Sequence, residues 1–240
     1  MLEDEDPAQH GIMAARRIAV VAILAILPLA VVACGNNGST TSTTTTTSSA
    51  ATSTTSVKPA GWTAVWPTAA GTARYETPEA AARGFSIDYL HMSNPVIGQF
   101  QQGDARSGEV PIRPNSIGPV TTVIVRQLTG DGTWSVLGSA TANITITEPK
   151  TLETISSPVT VSGMSTAYEA TVNLSLRQDD VTKPLVDSTV MGGANGEMGP
   201  FSTSLTFAAP SSRYGALVLY TISAKDGTVA EATVIRVQFT

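Results

Sequence analysis

Residues 169–179 read EATVNLSLRQD, and apolar and polar residues alternate along this stretch. Such alternation is typical of a half-buried β-strand. Comparable runs, separated by Pro, Gly, Asp or Ser, occur at NITITEP (143–149), SSPVTVSGMS (156–165), PLVDSTVMG (184–192), FSTSLTFAAP (201–210), GALVLYTISAKDG (215–227) and AEATVIRVQFT (230–240). Seven short alternating strands across about a hundred residues predict an immunoglobulin-like β-sandwich at residues 142–240.

The sandwich core is predicted from the apolar positions of these runs. The candidates are Val159, Val161, Val172, Leu174, Leu176, Phe201, Leu205, Phe207, Ile235, Val237 and Phe239. Lys225–Thr228 (KDGT) is predicted to be a hairpin turn between the last two strands. The single cysteine, Cys34, leaves no pair to link the sheets, so burial of apolar side chains has to hold them together.

The preceding region, residues 61–141, predicts a small α+β unit. A helix is expected to begin with Thr77 as N-cap and Pro78 in its first position, and to end at the SNP of residues 93–95. Its buried stripe would consist of Phe85, Tyr89 and Met92. The fold class is therefore mainly β, with a C-terminal sandwich of about seven strands preceded by the α+β unit.

A hairpin forms the second part of this unit. The β-branched runs VTTVIVRQL (120–128) and TWSVLGSAT (133–141) flank a turn at Asp131-Gly132. The predicted core positions of the hairpin are Val123, Val125, Trp134 and Val136. The helix is expected to pack on this antiparallel sheet.

The C-terminal runs resemble the immunoglobulin-like domain associated with bacterial spore germination proteins. The resemblance covers about residues 144–240 and rests on Ser157–Gly163 (SP-x-x-V-x-G), Tyr168–Val172, Gly199-Pro200-Phe201 and Asp226-Gly227. Tyr168 departs from the pattern, in which Phe is expected. The resemblance implies a fold and a location in the cell envelope, but no catalytic residues.

The N-terminus has the layout of a secretory signal. Arg16 and Arg17 precede an apolar run that ends in a small residue before Cys34. The four residues VVAC (31–34) resemble the lipobox of bacterial lipoproteins, which implies cleavage after Ala33 and lipidation of Cys34. An uncleaved transmembrane helix and a free thiol are the alternatives. The signal peptide is assigned to residues 1–33. Its first twelve residues, MLEDEDPAQHGI, are acidic, which is unusual for a signal peptide, so translation is expected to start at Met13 instead.

Residues 34–60 are predicted to be a disordered tether. The stretch from 39 to 56 is almost entirely Ser and Thr, which lack the apolar groups needed to offset the entropy of ordering. The whole arrangement resembles lipoproteins of high-GC Gram-positive bacteria. It predicts a protein anchored by lipid to the extracytoplasmic face of the cell membrane, with an envelope protein or cell-wall component as partner.

Composition excludes some functions. The net charge is −5, and no Lys/Arg cluster occurs beyond Arg16 and Arg17, so nucleic-acid binding is not expected. One cysteine excludes a zinc site built from cysteines. The glycine-rich GGANGEMGP (192–200) lacks a lysine and precedes a strand, so it is not a phosphate-binding loop. We predict no cofactor and no metal.

Three groups of residues are candidates for chemistry. Asp104, Arg106 and Glu109 form either a recognition loop or a solvated turn with a local ion pair. His91 is the only histidine after processing, and it would serve a hydrolase site in the α+β unit, although no nucleophile-elbow motif accompanies it. A calcium site would have to come from Asp179, Asp180 and Asp187, which lack a recognised spacing.

The predicted function is non-catalytic binding or scaffolding at the cell surface. Two other classes stay open at this point. One is an envelope hydrolase that uses His91. The other is a carrier of a small ligand or lipid, which predicts an apolar cavity beneath Phe85 and Tyr89.

Overall fold

The computed structural model describes residues 63–240. The predicted signal peptide, Cys34 and the tether up to residue 60 lie outside the described residues. The described residues belong to one compact unit. None of the helices in the described part of the chain has the length and apolar character needed to cross a membrane.

The described residues are mainly β, as predicted. The helical elements are α1 (Pro78–Gly84), a π-helical turn (Phe85–Tyr89) and a 3₁₀ turn (Tyr168–Ala170). The strands are β1 (Val96–Ile97), β2 (Gln101–Asp104), β3 (Ser107–Arg113), β4 (Thr121–Arg126), β5 (Ser135–Thr141), β6 (Ile144–Glu148), β7 (Thr154–Ile155), β8 (Val159–Ala167), β9 (Thr171–Gln178), β10 (Val186–Met191), β11 (Gly193–Ala194), β12 (Gly199–Leu205), β13 (Tyr214–Ile222) and β14 (Val229–Phe239).

The helix begins as the sequence predicts. Thr77 Oγ1 accepts a hydrogen bond from the Ala80 amide at 3.2 Å, which satisfies one of the free amides of the first turn. The end of the helix lies earlier than the SNP of residues 93–95, because α1 widens into the π-helical turn and stops at Tyr89. The wider turn places the rings of Phe85 and Tyr89 in a stack with centroids 5.3 Å apart.

One sheet runs through almost the whole described chain. Its strand order is β1-β3-β4-β5-β14-β13-β9-β10, and β2 also pairs with β3. A second layer consists of β6, β8 and β12, which pair antiparallel. The chain crosses from the second layer to the first between β6 and β7, because β7 pairs in parallel with β14. The sandwich is formed by these two layers.

The two faces of β13 and β14 contribute to two different cores. Ala216, Val218, Ala232 and Val234 pack with Phe85 and the other apolar residues beneath the helix. The alternate residues of these strands pack into the sandwich core with all the predicted core residues: Val161, Val172, Leu174, Leu176, Phe201, Leu205, Phe207, Val237 and Phe239 are buried, and Val159 and Ile235 pack against them.

The predicted boundary between residues 141 and 142 therefore falls inside a hydrogen-bonded sheet. Val234 of β14 pairs with Ser139 of β5, and the Ser139 hydroxyl donates to the Ala232 carbonyl at 2.8 Å. The division into domains stays a prediction. The pairing means that β13 and β14 support both halves of the described chain.

The predicted hairpin at Asp131-Gly132 is confirmed. Gly132 adopts a φ of 80°, which favours glycine, and Val123, Val125 and Val136 are fully buried. The Thr129 hydroxyl and the Thr133 amide and hydroxyl all donate to the Asp131 carboxylate, and they lower its pKa to about 2.

A buried charged group lies where the helical segment meets the sandwich. Arg177 donates to the Tyr89 carbonyl at 2.7 Å, and its guanidinium lies 4.9 Å from the centroid of the Tyr89 ring. Arg236, only 1% exposed, donates to both oxygens of Asp179 at 2.5 Å. The Arg177 contacts fix the end of the helical segment to β9, and the Arg236–Asp179 pair joins β14 to the end of β9.

Stability should decrease at alkaline pH because of Tyr89. Burial raises its pKa from 10 to about 12, an increase that the positive charges of Arg177 and Arg236 partly oppose. The folded state therefore holds the phenol proton more tightly than the unfolded state. The stabilisation is complete below pH 10 and decreases up to about pH 12, by about 2–3 kcal/mol in total.

Urea unfolding between pH 9 and pH 12 measures this effect. The Tyr89→Phe variant should lose most of the pH dependence, whereas Tyr168→Phe, at an exposed tyrosine, should retain it. An identical alkaline decrease in wild type and Tyr89→Phe would contradict the assignment.

Candidate binding cleft at one end of the sandwich

A cleft of about 880 Å³ opens at one end of the sandwich. It is formed where the β8–β9 turn, the β11–β12 turn and the β13–β14 hairpin meet the β3–β4 loop and the β5–β6 turn. Its volume lies within the range of small-molecule sites, about 300–1,000 Å³. We refer to it below as the end cleft.

Glu231 of β14 lies at the base of the end cleft. Only 4% of this residue is exposed, and its carboxyl group accepts hydrogen bonds from neutral donors. Asn143 Nδ2 lies 3.1 Å from each of the two oxygens. The Thr141 hydroxyl contacts Oε2, and the Thr221 hydroxyl lies 3.4 Å from Oε1. Glu231 thus connects β5, the β5–β6 turn, β13 and β14.

Tyr168 lies on the rim and is 74% exposed. The two residues that follow it, Glu169 and Ala170, have φ of 60° and 59°. Left-handed conformations at non-glycine residues cost free energy and are maintained by the surrounding structure. The turn is therefore held in one shape with the Tyr168 ring extending into solvent.

The rim next to this turn depends on the glycine-rich stretch, whose Gly192 amide donates to the Ala170 carbonyl at 3.0 Å. A Cβ at Gly193 would lie 1.9 Å from the Glu197 carbonyl oxygen and 2.3 Å from the Gly199 amide. Only glycine allows this approach of backbone to backbone. Thr166 Oγ1 then accepts a hydrogen bond from the Gly196 amide at 3.0 Å, which fixes Asn195 and Gly196 beside the cleft.

The hairpin between β13 and β14 contributes Asp226 to the lining. Its Oδ1 accepts hydrogen bonds from the Thr228 amide at 3.2 Å and from the Thr228 hydroxyl at 3.0 Å. These hydrogen bonds lower the pKa of Asp226, and the bond from the Thr228 amide has the largest effect. The carboxyl group is therefore ionised at neutral pH, and its Oδ1 is committed to its own turn.

The lining is polar, with several amides and a negative charge. It includes the amides of Asn115, Asn143, Asn173 and Asn195, the hydroxyls of Thr166, Thr171, Thr221 and Ser223, and the carboxyl groups of Glu169, Asp226 and Glu231. None of the described residues that line the end cleft is a lysine, arginine or histidine. Such a surface can donate and accept hydrogen bonds, and it disfavours anions.

The predicted recognition loop lies elsewhere, and the structure brings only part of it together. Asp104 Oδ1 accepts from the Arg106 amide at 2.7 Å, which lowers the pKa of Asp104. Its other oxygen lies 3.5 Å from Arg126, and the Arg106 guanidinium donates to the Thr129 carbonyl at 2.8 Å. Glu109 is exposed on β3. The recognition role of Asp104, Arg106 and Glu109 stays a prediction.

His91 and the three aspartates also lie apart from the end cleft. His91 is exposed, with a φ of 61° just after the π-helical turn. Asp179 is paired with Arg236, Asp180 accepts from the Ala70 amide at 3.3 Å, and Asp187 is exposed on β10. Within residues 63–240, no three His, Cys, Asp or Glu side chains are grouped to hold a metal ion.

Sequence reasoning did not find the end cleft. Its residues come from five connections that are far apart in the chain, and only pairing of the strands brings them together. The strongest available indication was Tyr168, because an aromatic residue followed by Glu is part of the segment that resembles the germination-associated domain. The other was the glycine-rich stretch at 192–200, which the sequence analysis only excluded as a phosphate-binding loop.

Comparison with protein families supports the resemblance. Residues 143–228 match the family described as the immunoglobulin-like domain of bacterial spore germination. The match spans β6 to the β13–β14 hairpin and includes most residues of the end cleft. Neither the curated proteins nor the solved structures include a significant match to the chain.

Proposed function

We propose that this protein is a lipid-anchored binding protein on the extracytoplasmic face of the cell membrane, and that the end cleft binds an envelope component without catalysis. The observation that carries the proposal is the end cleft itself. Three connections of an immunoglobulin-like sandwich form most of its wall, and such sandwiches commonly present their end loops to ligands.

The geometry of the lining favours binding over reaction. The carboxyl groups of Glu231 and Asp226 are engaged by neutral donors of the same chain, which suits positioning of a ligand more than proton transfer. His91, on which the hydrolase alternative in the α+β unit depends, is exposed just after the π-helical turn. The hydrolase is therefore the less supported alternative.

The alternative that the protein carries a small ligand or lipid is also less supported. The region beneath the helical segment is filled by packed side chains, with Phe85, Val123 and Val218 fully buried in one core. An apolar ligand would have to displace these contacts. The end cleft offers a lining of mixed polarity instead, with polar side chains beside the exposed Tyr168 and Ile222.

Anchoring depends on Cys34 in this proposal. A diacylglyceryl group supplies two acyl chains at one residue, as stable attachment to a bilayer requires. Radiolabelled palmitate supplied to growing cells should label the wild type and not Cys34→Ala, which should leave the membrane fraction. Equal labelling, or membrane retention of an unlabelled Cys34→Ala protein, would contradict the anchor.

Crosslinking and purification from intact cells tests the binding role. We expect an envelope component to co-purify with the wild type and to be lost with Tyr168→Ala. Ile124→Ala, exposed on β4 and absent from the cleft lining, is the matched control. Point variants are preferable to removal of residues 144–240, since that deletion would also remove β13 and β14 from beneath the helix.

A further inference from the structure

We propose that the ligand of the end cleft is a neutral oligosaccharide, bound with one sugar ring against Tyr168 and with its hydroxyl groups against the amides and carboxyl groups of the lining. This inference rests on the proposed function and names the ligand class of the same site.

The rim and the interior of the end cleft differ in polarity. Tyr168 and Ile222 are exposed apolar side chains at the rim, 74% and 46% accessible, while the lining within carries mostly amides, hydroxyls and carboxyl groups. A ligand that matches both needs an apolar face and a polar edge. A pyranose ring has a face of C–H groups and an edge of hydroxyl groups, so it satisfies both parts of the surface.

Tyr168 is arranged to receive such a face. The turn that carries the ring is supported from outside by the Gly192 amide, which donates to the Ala170 carbonyl at 3.0 Å. Tyrosine also supplies contact area with few rotatable bonds, so little conformational entropy is lost when it binds.

The polar lining matches hydroxyl groups. Each sugar hydroxyl both donates and accepts, and a carboxamide offers a donor and an acceptor side by side. Asn173, half-buried on β9, and Asn195, exposed in the β11–β12 turn, present carboxamides to the end cleft. Glu169 adds an exposed carboxylate acceptor.

Charge excludes an anionic ligand and makes a cationic one weaker. The lining has three carboxyl groups and, among the described residues, no basic side chain to pair with a phosphate or a uronic acid. Glu231 is buried and shared by three donors of its own chain, so its acceptor capacity is largely used, whereas Asp226 accepts these bonds at Oδ1 and stays exposed. The exposed carboxylates of Glu169 and Asp226 can pair with a cation, but exposed ion pairs contribute only about 0–1 kcal/mol each.

Calorimetric titration of the full-length chain tests this inference. The protein is purified in a detergent without a sugar headgroup and titrated separately with chitotetraose, cellotetraose, tetralysine and tetragalacturonate. We expect at least one of the two neutral tetrasaccharides to bind and both charged probes to bind more weakly. Tyr168→Ala should weaken the neutral ligand about threefold to tenfold, the size of an aromatic stacking contact.

Two further variants separate stacking from general damage. Tyr168→Phe keeps the ring and should bind within about twofold of the wild type, since the ring supplies the contact. Ile124→Ala, exposed outside the end cleft, should bind as the wild type does. Circular dichroism and the thermal midpoint confirm that each variant is folded.

Three results would overturn the inference. The first is that neither neutral tetrasaccharide gives a heat of binding at about 10 mM. The second is that tetralysine or tetragalacturonate binds more tightly than the neutral tetrasaccharides. The third is that Tyr168→Ala leaves saccharide binding unchanged. An envelope protein that co-purifies in a Tyr168-dependent way while both saccharides fail would remove the saccharide and keep the binding role. If the saccharides fail to bind and no envelope protein co-purifies in a Tyr168-dependent way, the proposed function is wrong as well.

Discussion

Replacement of Asp179 by alanine is expected to lower the free energy of unfolding by about 3–5 kcal/mol. Arg236 is 1% exposed and donates to both Asp179 oxygens at 2.5 Å. The variant leaves the guanidinium buried without its carboxylate, and breaking a buried ion pair by removing one member is strongly destabilising. Urea unfolding at neutral pH measures the difference between variant and wild type.

The control for this variant is Asp187→Ala. Asp187 is exposed on β10, so its removal should change the free energy of unfolding by less than about 0.5 kcal/mol. The double variant Asp179→Leu with Arg236→Met should be more stable than Asp179→Ala, because no buried charge remains. A loss below about 1 kcal/mol for Asp179→Ala would show that the pair does not hold β9 to β14.

Replacement of Glu231 by alanine has the second-largest expected effect, a loss of about 2–4 kcal/mol. Its carboxyl group is the shared acceptor for Thr141, Asn143 and Thr221. Each buried donor left without an acceptor costs about 1–3 kcal/mol, and water entering from the end cleft offsets part of the sum.

Glu169→Ala is the matched control for Glu231→Ala. It removes another carboxyl group of the same cleft, but at an exposed position, so the loss of stability should stay near zero. Chemical denaturation of both variants gives the comparison. Equal losses would contradict the assignment of Glu231 as the connection between β5 and the last hairpin.

The strands of the sandwich could be predicted because their periodicity is local. Alternating side chains at 159–161 and 172–176 indicate one core-facing side each: Val161, Val172, Leu174 and Leu176 are buried, and Val159 packs against them. Capping at Thr77 and the turn at Asp131-Gly132 are also local properties of a few residues. Predictions of this kind do not depend on knowing which strands pair.

The shared sheet depends on pairing between distant strands. Residues 216–219 are apolar without interruption, and all four are buried. A continuous apolar run is typical of a strand covered on both faces, whereas an alternating run is covered on one. We assigned this run to the sandwich alone on the basis of its sequence. The composition of the run also fits a strand that has a second core on its outer face.

The end of the helical segment and the end cleft were harder to predict for different reasons. The π-helical turn at Phe85–Tyr89 is maintained by stacking of the two rings and by the contact of Arg177 with Tyr89. Arg177 lies 88 residues away in the sequence, so no local pattern reports the contact. The end cleft likewise exists only after five separate connections meet.

Site-specific photocrosslinking in living cells tests the central claim most directly. A benzophenone amino acid replaces Tyr168 in the anchored protein, and in a control it replaces Ile124. We expect irradiation to yield one discrete higher-mass product, or a ladder from a polysaccharide, from position 168 alone. No product from position 168, or the same products from both positions, would contradict the claim that the end cleft is the binding surface.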